Sequence, residues 1–111
     1  MTVTTQRMEQ ALTYLAETDD KAAYHKSHVA RTEYKAKAIR QSIFLVNPEK
    51  LKTVAERQAY ADNCDEYEDA MFGYFEALRE YEHVRNKRST EALVVEVWRS
   101  VNSARNKGQI V

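Results

Sequence analysis

The chain has a single proline, Pro48, and only two glycines, Gly73 and Gly108, in 111 residues. Turn-rich β folds need such residues at each reversal, because Gly and Pro supply the backbone conformations that turns require. Here the punctuation is concentrated at Val46-Asn47-Pro48-Glu49-Lys50, near the middle of the chain. Pro48 biases Asn47 away from helix and is itself suited to a first helical position, with Asn47 as N-cap. The sequence therefore predicts long helices on either side of one central reversal.

The apolar spacing agrees. A helical pattern covers 5–45, with Met8, Leu12, Leu15, Ala22, Val29, Ala36, Ile39 and Ile43 on its apolar side. Thr18-Asp19-Asp20 marks a restart or a kink within it. Thr53-Val54-Ala55-Glu56 fits a capping box opening a short helix over 54–61. Asn63, three residues before Glu66 and followed by acids, is a second start signal, for a helix over 63–107. In that helix Tyr67, Met71, Tyr74, Leu78 and Tyr81 recur at alternating intervals of four and three, the spacing of a packed seam. A second apolar cluster runs from Ala92 to Trp98 and reaches Val101. Arg105, Lys107 and Gly108 form a C-terminal stop signal. Residues 85–91 carry no apolar side chain. With no Gly or Pro to enforce a break there, continuous helix is favoured over a restart capped by Ser89 or Thr90.

Seventeen basic and seventeen acidic residues cancel overall but are segregated along the chain. Residues 1–20 sum to −3, 21–40 to +5, 41–61 to +1, 62–82 to −7 and 83–107 to +4. Doubling the chain back near residue 53 sets 21–40 beside 66–85 and opposes the blocks by sign. Exposed ion pairs are worth only about 0–1 kcal/mol each, so they select register and partner while apolar burial supplies stability. The expected fold is all-α: an antiparallel long-helix hairpin with a short connecting helix, forming one domain over 1–111.

A two-helix hairpin buries little surface by itself. Seven Tyr, three Phe (Phe44, Phe72, Phe75) and Trp98 are many large rings for one narrow seam. This predicts self-association, as a dimer forming an elongated helical bundle, through Tyr67, Met71, Tyr74, Phe75, Leu78 and Trp98. Gly73, among these rings, reads either as a point of close helix approach or as a tolerated surface residue.

Few residue constellations suggest chemistry. His25 and His28 are spaced i, i+3, and the hairpin register sets them near Glu80 and His83, an E-x-x-H pair of the kind found in di-iron bundles. Such sites need a second E-x-x-H and two further Glu residues, which are lacking, so these four remain minor candidates for a transition-metal or pH-responsive site. Asp62, Asp65, Glu66, Glu68 and Asp69 lack the loop spacing of a calcium site. They suit a helix start facing a basic partner. Cys64, the one cysteine, excludes an internal disulfide and a cysteine-based zinc site, and its acidic neighbours oppose thiolate formation. No phosphate-binding glycine loop or nucleophile–base arrangement is present. The expectation is no enzyme and no cofactor. Arg31, Lys35, Lys37 and Arg40 have acidic partners in the hairpin. Arg85, Lys87 and Arg88 are less compensated and are the first candidates for contact with nucleic acid. No apolar run is long enough to cross a membrane, and Met1-Thr2-Val3-Thr4-Thr5-Gln6-Arg7 is not signal-like, so a cytoplasmic location is expected.

Over roughly residues 53–107, the segments Ala55-Glu56-Arg57-Gln58-Ala59-Tyr60-Ala61-Asp62 through Tyr67, Arg85-Asn86-Lys87-Arg88, Glu96-Val97-Trp98-Arg99 and Asn102-Ser103-Ala104-Arg105 resemble small all-helical proteins of temperate bacteriophages. These are often encoded among early recombination genes beside single-strand annealing proteins. The resemblance implies a non-enzymatic accessory role in phage DNA metabolism and assigns no catalytic residue. Three functions follow as expectations. The first is a homo-oligomeric protein presenting a charged surface to another protein. The second is a recombination accessory touching single-stranded DNA through Arg85, Lys87 and Arg88. The third is an antagonist of a host defence enzyme, imitating nucleic acid through its acidic residues 62–82.

Overall fold

A computed structural model describes residues 2–45 and 51–110, excluding the side chains of Gln109 and Ile110. Its elements are all helical: α1 (Thr5–Glu17), α2 (Asp19–Leu45), α3 (Val54–Asp62) and α4 (Asp65–Ile110). No described residue is in a strand. The start signal at Asn47–Pro48 lies outside the described residues.

The expected first helix is divided at Thr18. Thr4 begins α1, its hydroxyl accepting from the Arg7 N–H at 3.0 Å. Thr18 ends it, with both its N–H (3.0 Å) and its hydroxyl (2.7 Å) donating to the Tyr14 carbonyl. A side chain that bonds back to the preceding turn offers the backbone an alternative to the regular ladder. Asp19 and Asp20 then occupy the first turn of α2, where the helix dipole favours acids.

Thr53 caps α3, accepting from the Glu56 N–H at 3.1 Å; the Glu56 carboxylate accepts from the N–H of Lys52, one residue before the cap. Asn63 corrects the expected helix start. Its amide Nδ2 donates to the Ala59 carbonyl at 2.8 Å, so it closes α3, and α4 begins two residues later under the Cys64 carbonyl. α4 runs unbroken through 85–91, where the Thr90 hydroxyl donates to the Asn86 carbonyl within the helix. The expected stop at Gly108 is also corrected: α4 continues to Ile110, and no described residue, glycine included, has positive φ. A Gly-terminated helix needs a left-handed residue, and Gly108 is not one.

Contacts divide the chain into two compact units, one formed by residues up to Ala23 with those from Glu82 onward, the other by Tyr24–Tyr81. In the first, partners fall in number along α4 as they rise along α1: Arg7 meets Glu91, and Thr18 meets Arg88. In the second, Arg40 of α2 meets Asp62, and Thr32, Lys35 and Ile39 share a groove with Glu66, Asp69, Ala70 and Gly73 of α4. Each unit is thus an antiparallel helix pairing, and the element order α1, α2, α3, α4 is that of a long-helix hairpin with a short connecting helix.

The buried apolar side chains are small: Ala11, Ala36, Ala61, Ala77, Val84 and Val95. They belong to stripes at alternating intervals of three and four. In α4 the stripe is Tyr67, Ala70, Tyr74, Ala77 and Tyr81 in the second unit, and Val84, Arg88, Glu91, Val95, Trp98 and Asn102 in the first. All of these are buried or half-buried. The facing stripes are Met8, Ala11, Leu15, Thr18 and Ala22, and then His25, Val29, Thr32, Ala36, Ile39 and Ile43. Leu12, expected on the apolar side, is exposed, one position off this stripe. Alanines at seam positions admit close helix approach but bury little area, roughly 25 cal/mol for each Å².

Candidate functional site

In the first unit the seam turns polar where the sequence lacks apolar residues. Arg88 and Glu91 occupy seam positions and are answered from α1. Arg7 donates to both Glu91 oxygens, Nη1 to Oε2 at 2.7 Å and Nη2 to Oε1 at 2.9 Å. Hydrogen bonding from the Arg7 guanidinium is the main cause holding the Glu91 carboxyl below its ordinary value. The charges of Arg7 and Lys87 act in the same direction, and partial burial opposes them. Arg88 donates to the Leu15 carbonyl (2.8 Å) and the Thr18 hydroxyl (2.6 Å), and pairs with Asp19 at 3.2 Å. It thereby serves the C-terminal carbonyls that α1 leaves unpaired where it breaks.

These bonds locate the residues expected to touch nucleic acid. Arg88 is half-buried and engaged by α1. Arg85 is exposed and paired within its helix to Glu82 at 3.3 Å. Lys87 is exposed, its Nζ 4.7 Å from the centre of the Tyr14 ring, a cation–π contact. Arg85 and Lys87 therefore face solvent, and Arg88 faces the seam.

Tyr24 stacks on His28, with ring centroids 5.8 Å apart, and meets His25 edge-on at 5.4 Å. The Nδ1 atoms of both histidines are shielded from solvent and have no hydrogen-bond partner. Among the described residues no three His, Cys, Asp or Glu side chains form a group able to hold a metal ion, so His25, His28, Glu80 and His83 do not form one. Cys64 is half-buried and borders a groove with Ser42, Ile43, Tyr60, Asp65 and Glu66.

The expected interface residues have different positions. Tyr67, Tyr74 and Trp98 are half-buried on the seam, Met71 and Leu78 are half-buried beside it, and Phe75 is exposed. The neighbouring Phe72 is more exposed still, at 67 % against 56 % for Phe75. Tyr24, Tyr34, Leu45, Val54 and Tyr60 are further exposed large side chains of the second unit, against Leu12, Leu93 and Val101 in the first. Among the described residues nothing lies within 4 Å of where a Cβ of Gly73 would stand, so no described helix approaches it closely.

The expected seam shares Tyr67, Tyr74 and Tyr81 with the observed one, and differs in taking Met71 and Leu78 where the structure has Ala70 and Ala77. From Tyr67 both 71, 74, 78 and 70, 74, 77 satisfy the helical spacing. Both continue through Tyr81, Arg88 and Val95; only the second adds Val84 and Trp98, whereas the first adds Arg85, Ala92 and Arg99. That continuation was the available signal.

The acids at the start of α4 are exposed, and among the described residues Asp65, Glu66, Glu68 and Asp69 form no ion pair, while Asp62 pairs with Arg40 at 2.6 Å. No ion pair joins α2 to α4 among the described residues of the second unit. Lys37 pairs with Glu33 of its own helix, and Arg79 with Glu76 and Glu80 of its own. No described helix is long and apolar enough to cross a membrane. Comparison with known proteins supplies no relative from which to read a function: no protein-family model, no curated protein and no solved structure matches this chain.

Proposed function

We propose that the protein is a non-enzymatic interaction protein that self-associates and presents a charged helical surface to another protein. One observation carries this reading. The chain packs alanine and valine in its own seams and leaves Tyr24, Tyr34, Leu45, Phe72 and Phe75 in solvent. Phe72 and Phe75, three residues apart on α4, form an exposed aromatic pair of the kind that marks a protein-binding surface when contiguous. A dimer in a helical bundle is the simplest assembly that covers them. The resemblance over 53–107 supplies the setting, an accessory role beside phage recombination proteins. Light scattering across a hundredfold range of concentration tests self-association, and a monomer throughout would overturn it.

The exposed acids Asp65, Glu66, Glu68 and Asp69, which form no ion pair among the described residues, favour a second reading, in which the surface imitates nucleic acid toward a host nucleic-acid-binding enzyme. Neutralising Asp65, Glu66 and Asp69 to amides, with Glu68 kept, would abolish inhibition of such an enzyme while leaving self-association intact. Inhibition unchanged by that substitution would remove this reading.

A further inference from the structure

The outward side of α4 carries Glu68, Phe72, Phe75 and Arg79 at intervals of four, three and four residues, and all four are exposed. At 100° per residue these positions fall within about 60° of one another around the helix, on one narrow stripe. They occupy the side away from Tyr67, Ala70, Tyr74 and Ala77, and no described element of the chain covers them. The order is acid, ring, ring, base, and the intervals read the same in both directions.

Such a stripe is complementary to its own reverse. We infer that it is the contact between two copies of this chain, the α4 helices crossing antiparallel about a two-fold axis between Gly73 and Tyr74. Glu68 then meets Arg79 of the second copy, Phe72 meets Phe75, and each pairing occurs twice, as an isologous interface requires. The two ring pairs supply apolar and aromatic contact, and the two ion pairs select antiparallel over parallel docking. A parallel docking would set acid on acid and base on base. Glu68 is available, forming no ion pair among the described residues, and Arg79 holds only exposed intrahelical pairs with Glu76 (2.9 Å) and Glu80 (3.8 Å). Such pairs contribute little and rearrange readily.

This inference rests on the proposed self-association and adds which surface performs it. The test is a charge swap in the full chain, read by sedimentation equilibrium with helix content followed by circular dichroism. Glu68→Arg alone and Arg79→Glu alone each set like charges together twice, and each is expected to raise the dimer dissociation constant by about tenfold or more. Mixing these two variants restores association as a one-to-one heterodimer, because each supplies the sign that the other lacks. The double variant Glu68→Arg/Arg79→Glu also regains the dimer. A native dimer unaffected by either single change, or weakened singles that fail to associate when mixed, would overturn the assignment and leave self-association standing. A native chain that is monomeric throughout removes both.

Discussion

Arg7 and Glu91 lie 84 positions apart in sequence and form a two-pronged pair, both guanidinium nitrogens within 2.9 Å of the carboxylate. Its signs run against those of the blocks that carry it: Arg7 is the one base among residues 1–20, and Glu91 one of two acids among 83–107. Segregated charge favours the general antiparallel arrangement, and this inverted pair selects one register within it. Sliding α1 by a turn would leave a shielded carboxylate without its donor, which is costly.

Glu91→Gln should destabilise the first unit at neutral pH, with the effect disappearing in acid. Because the native carboxyl lies below its ordinary value of 4.5, its ionised form is favoured by folding. That contribution is present at pH above the ordinary value and is lost as pH falls through the native one. Melting temperatures of native protein and variant should differ by a constant amount from pH 8 to about pH 5.5 and converge as the pH falls through the native value. Curves that stay parallel throughout the acid range in which the protein remains folded would show that the charge is not what Glu91 contributes.

Arg88→Ala leaves the Leu15 carbonyl and the Thr18 hydroxyl without their donor, at a cost of about 1–2 kcal/mol. Hydrogen exchange should accelerate most at the amides around the helix break, those of Thr18 and Ala22. Arg88→Lys should recover only part of the protection, since an ammonium cannot reproduce the forked geometry that reaches both oxygens and Asp19.

Packing makes opposite predictions for adjacent residues. Ala11 is 0 % exposed and Leu12 is 45 % exposed. Ala11→Leu forces three extra carbons into a seam sized for a methyl and should cost about 1–3 kcal/mol. Leu12→Ala should change stability by less than about 0.5 kcal/mol, as surface substitutions generally do. Urea denaturation of both variants checks this, and a larger loss at Leu12 than at Ala11 would refute the observed seam phase.

If single-stranded DNA is bound through α4, the exposed bases must carry it. Arg85→Ala with Lys87→Ala should then reduce affinity and flatten its salt dependence by about two phosphate contacts, without altering the melting temperature by more than a degree or two. Arg88→Ala is the poorer probe, since its loss disturbs the fold. Undetectable binding by native protein at low salt would exclude this use.

Much of the fold was legible in sequence because it depends on local chemistry. Thr53 and Glu56 lie three residues apart, and the cap they form needs nothing from elsewhere. The restart at Thr18 was readable for the same reason, although the sequence left restart and kink undecided. Asn63 was misjudged because one Asn can close the helix before it or open the helix after it. The Ala59 carbonyl within reach of its side chain decides between them. The candidate site was less legible. Arg88 resembles a solvent-facing base in the sequence, and only the presence of α1, 70 positions away at Thr18, makes it a half-buried donor in the seam.

By itself the sequence determined the helices, their approximate limits, the single central reversal and the antiparallel sense of pairing. These follow from propensity, capping and charge order, all short-range or additive along the chain. The tertiary structure decided which of two equally spaced stripes became the seam, which charges were drawn into it, and which rings were left outside. Those outcomes depend on how two helical surfaces interdigitate, and taking 70 and 77 in place of 71 and 78 between the shared tyrosines turns the buried face by roughly 50°. Phe72 and Phe75 are exposed for that reason: the phase that places Ala70 and Ala77 inside turns them away from the seam.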